Sequence, residues 1–355
     1  MDYIIKKINE NIELSQDEAE KLYEIDLFTL GEAAKKIREE KYGRKMYFNI
    51  NRHINPSNIC KDVCKFCAFS AHRKNPNPYT LSIEECVEAA KDAYSKGAKE
   101  VHIVSAHNPE VGYDYYMNIV KEIRKALPDI HIKAFTAAEV NFLSELSGKS
   151  YDEVLDDMVE AGVDSMPGGG AEIFAKEVRD KICKGKVSSE NWLKIHELWH
   201  KRGKKSNATM LFGHIEKRIH RIDHMLRLKR LQDKTGGFNA FIPLVYQRAN
   251  NYLNVKDFLT GVEILKTVAI SRILLKNIPH IKAYWPTFTL NLALVAGEYG
   301  ADDIDGTIQK ESIQSAAGAA SAKGLDMNEL IHQIKDAGFI PVERDSLYNE
   351  IKIYR

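Results

Sequence analysis

The sequence predicts an α/β protein: a (β/α)8 TIM-type barrel over residues 46–355, preceded by an N-terminal helical extension over residues 1–45. Three observations carry this expectation. Short strand-like runs alternate with amphipathic helical segments, an order that forces parallel strands with crossovers covering the sheet. Glycines stand where the helical segments should stop, because glycine accepts the left-handed conformation past a helix end without a Cβ clash. No Gly-x-Gly-x-x-Gly turn follows the first strand, which disfavours the rival doubly wound open sheet.

Taken in order, the N-terminal segment reads as helical. Ser15-Gln16-Asp17-Glu18 is a capping box, in which serine and glutamate satisfy free backbone donors reciprocally, and helix-period sequence continues to about Lys41. Strand-like runs follow near 46–57 (MYFNINRHINPS), 100–106, 130–137 and 163–167. Others lie near 206–212, 238–246, 280–285 and 302–307. Between them, helical segments are expected at Ser82–Lys96, Tyr115–Ala126, Tyr151–Ala161, Ser189–Arg202 and Asp257–Leu275. Ser82 and Glu85 form a second capping box, and Gly97, Gly162 and Gly203 mark helix ends.

Composition narrows the function classes. The 355 residues carry 51 basic and 50 acidic side chains, a formal net charge of +1, with 44% hydrophobic positions. This balance excludes a basic nucleic-acid wrapper, an acidic tail protein and a disordered chain. No stretch approaches the ~18–20 unbroken apolar residues of a membrane span. The N-terminus, Met1-Asp2-Tyr3-Ile4-Ile5-Lys6-Lys7, lacks the apolar core of a signal peptide, so a cytoplasmic protein is expected.

Chemistry in a barrel collects at the C-terminal ends of the strands. The residues there are the Cys60 loop, Ser105-Ala106-His107, Glu139, Gly168-Gly169-Gly170, Gly213-His214, Gln247-Arg248, Trp285 and Asp305. Three of the five cysteines, Cys60, Cys64 and Cys67, fall in the first of these loops with C-x3-C-x2-C spacing. Soft thiolates select zinc, Cu(I) or iron–sulfur clusters. Zinc would want a fourth ligand, for which His53 or His72 is available. A cluster held wholly by cysteine would need Cys86 or Cys183, both on expected helical segments without partner spacing. A [4Fe-4S] cluster with three cysteine ligands and one open iron is the third possibility.

Phe66 immediately before the third cysteine, and Asn55-Pro56-Ser57-Asn58 leading in from a strand, make the loop resemble that of the radical S-adenosylmethionine (SAM) superfamily. That resemblance implies that Cys60, Cys64 and Cys67 ligate a [4Fe-4S] cluster whose open iron chelates SAM. It also implies an external one-electron reductant and a 5′-deoxyadenosyl radical. Phe66, Ser105, Glu139, Ser165, Gly168, Gly169 and Gly170 are the expected SAM-binding residues. The superfamily's Gly-Gly-Glu-like segment is replaced here by Ser105-Ala106-His107-Asn108-Pro109-Glu110.

Longer stretches resemble the aminofutalosine synthase family of the futalosine route to menaquinone. They are NRHINPSNIC (51–60), CKFCAFS (64–70), HIKAFTAAEV (131–140), DSMPGGGAEIF (164–174), SNATMLFGHIE (206–216) and GGFNAFIPL (236–244). HIKAYW (280–285), ADDIDGT (301–307) and PVERDSLYN (341–349) continue the likeness. It implies a transferase that adds the adenosyl radical to 3-[(1-carboxyvinyl)oxy]benzoate and yields 6-amino-6-deoxyfutalosine. DSMPGGGAEIF is shared with cyclic dehypoxanthine futalosine synthases and deazaflavin-cofactor synthases, which form the alternative. A small substrate with carboxylates calls for cationic or hydrogen-bonding partners. His53, Lys133, Asn207, His214 and Arg272 are the candidates, with His214 and Glu139 the candidate catalytic groups. Each has a plain alternative as a buried, satisfied residue, a helix-face charge or a helix N-terminal carboxylate. Family members carry a His-Pro pair where this chain has Gln247-Arg248.

Overall fold

The computed structural model describes residues 2–70, 77–308, 312–319 and 324–355. It has an α/β fold built on a curled parallel sheet. Among the described residues there are eleven strands: β1 (Lys45–Asn49), β2 (Asn51–Ile54), β3 (Glu100–Ile103), β4 (His131–Ala134), β5 (Ser165–Met166), β6 (Lys205–Phe212), β7 (Phe238–Val245), β8 (His280–Ile281), β9 (Asp303–Gly306), β10 (Ile340–Arg344) and β11 (Glu350–Ile353). Strands β2 to β8 form a seven-stranded sheet in sequence order, every pair parallel. The second sheet has the order β11-β10-β1-β9, with only the β10–β11 pair antiparallel.

The run expected as one strand over 46–57 is divided. It breaks at Ile50, so that β1 joins the four-stranded sheet and β2 opens the seven-stranded one. β8 and β5 are far shorter than the runs that announced them, at two residues each. The C-terminal strands β10 and β11 fall outside the runs read from alternation. A parallel bridge between Lys282 and Asp303 connects β8 to β9.

The local signals are realised closely. Both capping boxes form, at Ser15/Glu18 and Ser82/Glu85. Gly162 ends the helix Tyr151–Ala161 at φ +104°, where any side chain would be strained. Helices at Ile83–Ser95, Tyr113–Ala126, Ser189–Lys201 and Gly261–Leu274 match the expected segments to within a few residues. At the N-terminus, helices Asp2–Asn9, Gln16–Glu20 and Leu27–Tyr42 lie against the rest of the chain. Arg38, fully buried, donates to the carbonyls of Ala301, Gly43 and Lys45, which ties the third of these helices to the start of β1.

Much of the interior is apolar, but the strands also bury charge in pairs. Lys133 meets Glu100 at 2.5 Å, Lys282 meets Asp305 at 3.0 Å and Arg344 meets Asp303 at 2.5 Å. A buried charge survives only with such a partner, because desolvation alone costs several kcal/mol per ion. Among the described residues, no helix is long and apolar enough to cross a membrane.

Candidate active site

The loop after β2 is pinned from three sides. Ala106 donates its amide to the carbonyl of Ser57 at 3.0 Å, and Lys61 donates to that of His107 at 2.9 Å. Lys65 donates to the carbonyl of Ile182 at 2.8 Å, and its own carbonyl accepts from Tyr252 at 2.7 Å. Within the loop, the amide of Cys67 closes a turn onto the carbonyl of Cys64 at 3.2 Å. Cys60, Cys64 and Cys67 are all free thiols and line one cavity of about 310 Å³. Burial raises the pKa of Cys60 and pushes that of Cys64 well above the ordinary thiol value.

Beside Cys60, Asp62 and His107 form a pair, with Oδ2 and Nδ1 2.9 Å apart. The ring of His107 stacks parallel on Phe142 at 5.0 Å. Burial alone would lift the Asp62 carboxyl, but the hydrogen bond and charge of His107 bring it below the usual value. Ligand atoms of Cys60, Asp62 and His107 lie within 4.8 Å of one another. Three thiols from one loop facing one cavity form a donor set suited to a soft-metal or iron–sulfur group. His53 lines the same cavity, whereas His72 lies outside the described residues.

The cavity runs across the C-terminal ends of the strands. One wall is polar or small: Ser105, Thr136, Gly168, Gly169 and Gly170. Leu211, Ile242, Leu244, Tyr246 and Tyr284 contribute the larger apolar and aromatic groups of the lining. His53, His102, Asn207 and Asp305 add polar groups. The hydroxyl of Ser105 and Nε2 of His102 are buried without a hydrogen-bond partner among the described residues. Such groups are costly to leave unpaired, so they favour a polar ligand in the cavity.

Of the residues expected at the site, Cys60, Cys64, Cys67, Phe66, Ser105, His53, Asn207 and the three glycines line the cavity. The glycines have a reason within the protein itself. A Cβ on Gly168 would stand 2.8 Å from the carbonyl oxygen of Asn207, one on Gly169 2.9 Å from Cγ2 of Thr136, and one on Gly170 2.6 Å from Cβ of Ala138.

The other expected residues are engaged elsewhere, outside the cavity lining. The Glu139 carboxylate accepts from the amides of Ser105 and Thr136, each at 2.8 Å, and burial nevertheless raises its pKa. Ser165 bonds Nε2 of His131 at 2.7 Å. Lys133 is spent on Glu100. Arg272, buried completely, serves the carbonyls of Gly300 and Pro279 and the carboxylate of Asp302. His214 has its side chain wholly buried, with Nε2 against the carbonyl of Leu211 at 3.1 Å and Nδ1 accepting the amide of Ile215 at 2.7 Å. Nδ1 also lies 3.0 Å from Oε2 of Glu216, and burial lowers the pKa of the ring although that carboxylate opposes the shift. Gln247 lines the cavity, while Arg248 lies outside it, 3.2 Å over the ring of Phe258.

Two further residues line the cavity. Lys186 and Glu172 pair at 2.8 Å, and the lysine ammonium lies 5.7 Å from the centre of the Phe66 ring. Lys186 has no motif position that marks it, whereas Glu172 stands in the DSMPGGGAEIF stretch, two residues past its glycines.

Comparison with known proteins fits this geometry. Residues 54–228 match the radical SAM superfamily and residues 235–355 match the CofH/MqnC C-terminal region. Methylornithine synthase, a solved structure, superposes with a TM-score of 0.74 at 17% identity, covering 95% of this chain and 97% of its own. Fold and cysteine loop thus define a radical SAM enzyme.

Two curated aminodeoxyfutalosine synthases cover nearly the whole chain. That of Thermus thermophilus is 43% identical over 99% of this chain and 96% of its own length. That of Streptomyces coelicolor is 39% identical over 98% and 93%. A 5-amino-6-(D-ribitylamino)uracil–L-tyrosine 4-hydroxyphenyl transferase from Methanopyrus kandleri is 35% identical over 93% and 91%. The chain belongs to the aminodeoxyfutalosine synthase family, named for the same product as the aminofutalosine synthases.

Proposed function

We propose that this chain transfers the 5′-deoxyadenosyl group of SAM to 3-[(1-carboxyvinyl)oxy]benzoate, with methionine and the acceptor's lost carboxylate carbon leaving, and releases 6-amino-6-deoxyfutalosine, with Cys60, Cys64 and Cys67 holding a [4Fe-4S] cluster. The single observation that carries this reading is the placement of all three cysteines on one cavity, in a chain 43% identical to an aminodeoxyfutalosine synthase along 99% of its length. When bound, the cluster supplies one electron, drawn from an external reductant, to break the S–C5′ bond of SAM.

The chain's own part is positioning and exclusion of water. The loop carrying the cysteines is fixed to the end of β3 through Ala106 and His107. Phe66, Ser105 and the backbone of Gly168–Gly170 offer the surface on which SAM would lie. Leu211, Ile242, Leu244 and Tyr284 give the second half of the cavity a dry wall, which protects a reactive carbon centre from quenching and holds the acceptor close. His53 and Asn207 remain the candidates for the substrate's carboxylates. Glu139, Ser165, Lys133, His214 and Arg272 act one layer out, through the backbone and ion pairs they hold.

The accompanying reading of the fold takes β1/β2 and β3–β9 as eight units of a (β/α)8 barrel, with residues 1–45 as a helical extension. The Lys282–Asp303 bridge, the pairing of β9 with β1 and the continuity of β1 with β2 support it.

The test is an anaerobic assay of reconstituted protein with SAM, dithionite and the vinyl ether. An adenosine-containing adduct is expected. Recovery of 5′-deoxyadenosine without adduct would refute the reading. The match of residues 235–355 to the CofH/MqnC C-terminal region favours a second one, hydrogen abstraction with ring closure or aryl transfer on another substrate. It predicts 5′-deoxyadenosine in the presence of that substrate and no adduct with the vinyl ether.

A further inference from the structure

We infer that Lys186 is an electrostatic positioning residue for the cysteine loop: its ammonium raises the reduction potential of the group held by Cys60, Cys64 and Cys67. The inference rests on the cluster assignment above and extends it to a residue outside the cysteine motif.

Lys186 follows the helix Lys176–Ile182, in a turn closed by its amide on the carbonyl of Cys183 at 3.1 Å. The same stretch receives the amide of Lys65 on the carbonyl of Ile182, so the lysine turn and the cysteine loop are hydrogen-bonded to each other. Its side chain is 15% exposed, lines the cavity with all three cysteines and places its ammonium 5.7 Å from the ring centre of Phe66, one of the two residues between Cys64 and Cys67. Lys61, in the same loop, is instead paired with Glu145.

Three thiolates outweigh the positive charge of an oxidised cubane core, and reduction adds one more negative charge. In a site screened from water, a fixed cation beside the thiolates stabilises the reduced form more than the oxidised form. Glu172 opposes this. Its carboxylate is 2.8 Å from the ammonium and lines the same cavity.

The two partners should move the potential in opposite directions, and that sign separates tuning from scaffolding. The experiment is a potentiometric titration, followed by electron paramagnetic resonance, of the reconstituted full-length protein without SAM. Iron and sulfide are counted in each sample. Lys186→Met is expected to shift the midpoint to more negative potential, Glu172→Gln to less negative potential, and Lys186→Arg to leave it near the parent. A fully loaded Lys186→Met with the parent's midpoint overturns the inference, as do two variants shifted the same way. If Lys186→Met does not assemble, Glu172→Gln decides alone: an unchanged or more negative midpoint overturns the inference. A parent protein that takes up no iron and sulfide refutes the proposed function itself. A loaded parent with the wrong signs in its variants refutes only the role of Lys186.

Discussion

The amide of Ser105 donates to Oε1 of Glu139 at 2.8 Å, while Oε2 of the same carboxylate accepts from the amide and hydroxyl of Thr136, each at 2.8 Å. One buried side chain thus joins the exit of β3 to the start of the helix Ala137–Ser147. Two residues on from Ser105, the carbonyl of His107 receives the amide of Lys61, next to Cys60. The position of the first cysteine depends on a glutamate that does not line the cavity.

Glu139→Ala should therefore strand two buried amides, at about 1–3 kcal/mol each. Urea denaturation is expected to show a loss of about 3 kcal/mol, and reconstitution to give less iron per chain than in the parent. Glu139→Gln keeps one acceptor and should lose less on both counts. An alanine variant with parental stability and iron content would remove this role.

Arg272 gives a sharper contrast between structure and activity. Its guanidinium and the imidazole of His280 share the carboxylate of Asp302, and all are buried. Removing one partner leaves an uncompensated buried charge, so Arg272→Met should cost about 3–5 kcal/mol in chemical denaturation. In the fraction that stays folded, the KM for the vinyl ether should be unchanged. A raised KM at parental stability would return Arg272 to the substrate site.

Asp305 makes a pH prediction with a definite sign. Burial alone would raise its pKa, but Lys282 and Arg344 outweigh burial and bring it from 3.8 down to about 2. A carboxyl depressed in the folded state stabilises the fold above its ordinary value and loses that contribution as pH falls from 3.8 towards about 2. Asp305→Asn tolerates the backbone, which has φ +74° at this position. It should cost about 2 kcal/mol at pH 7 by linkage, and the gap should narrow below pH 4. A gap that is constant across this range, measured by urea midpoints, would exclude the ionised carboxylate as its source.

Gly168→Ala tests the tight side of the cavity. The added methyl would meet the backbone oxygen of Asn207 at 2.8 Å and Cγ2 of Thr209 at 2.9 Å, so the middle of β6 must move. A loss of about 1–3 kcal/mol is expected from overpacking. Iron content should hold while KM rises, because Asn207 and Thr209 both line the cavity. Unchanged thermal stability and KM would show that the strand yields freely.

Several elements were legible because their causes are local. Ser15 and Ser82 each meet a glutamate three residues on, and Cys60, Cys64 and Cys67 share one loop whose spacing survives in any fold that keeps it. Arg272, Lys133 and His214 were read as pocket groups because an isolated polar side chain gives no sign of its partner. Asp302 for Arg272 and Glu100 for Lys133 are supplied by packing, as is the pairing of Lys186 with Glu172, whereas His214 meets the carbonyl of Leu211 and the carboxylate of Glu216 within three residues of itself.

By itself, then, the amino-acid order determined the alternation of strand and helix, the helix ends and a thiol-bearing loop after an early strand. Folding in three dimensions decided that the 46–57 run serves two sheets, that the glycines at 168–170 answer to neighbouring protein atoms, and which charges face the cavity. The reason is range. Periodicity, capping and motif spacing act over a few residues of chain. A buried charge is settled by whichever counter-charge the fold brings within about 3–4 Å, and that partner leaves no trace along the chain.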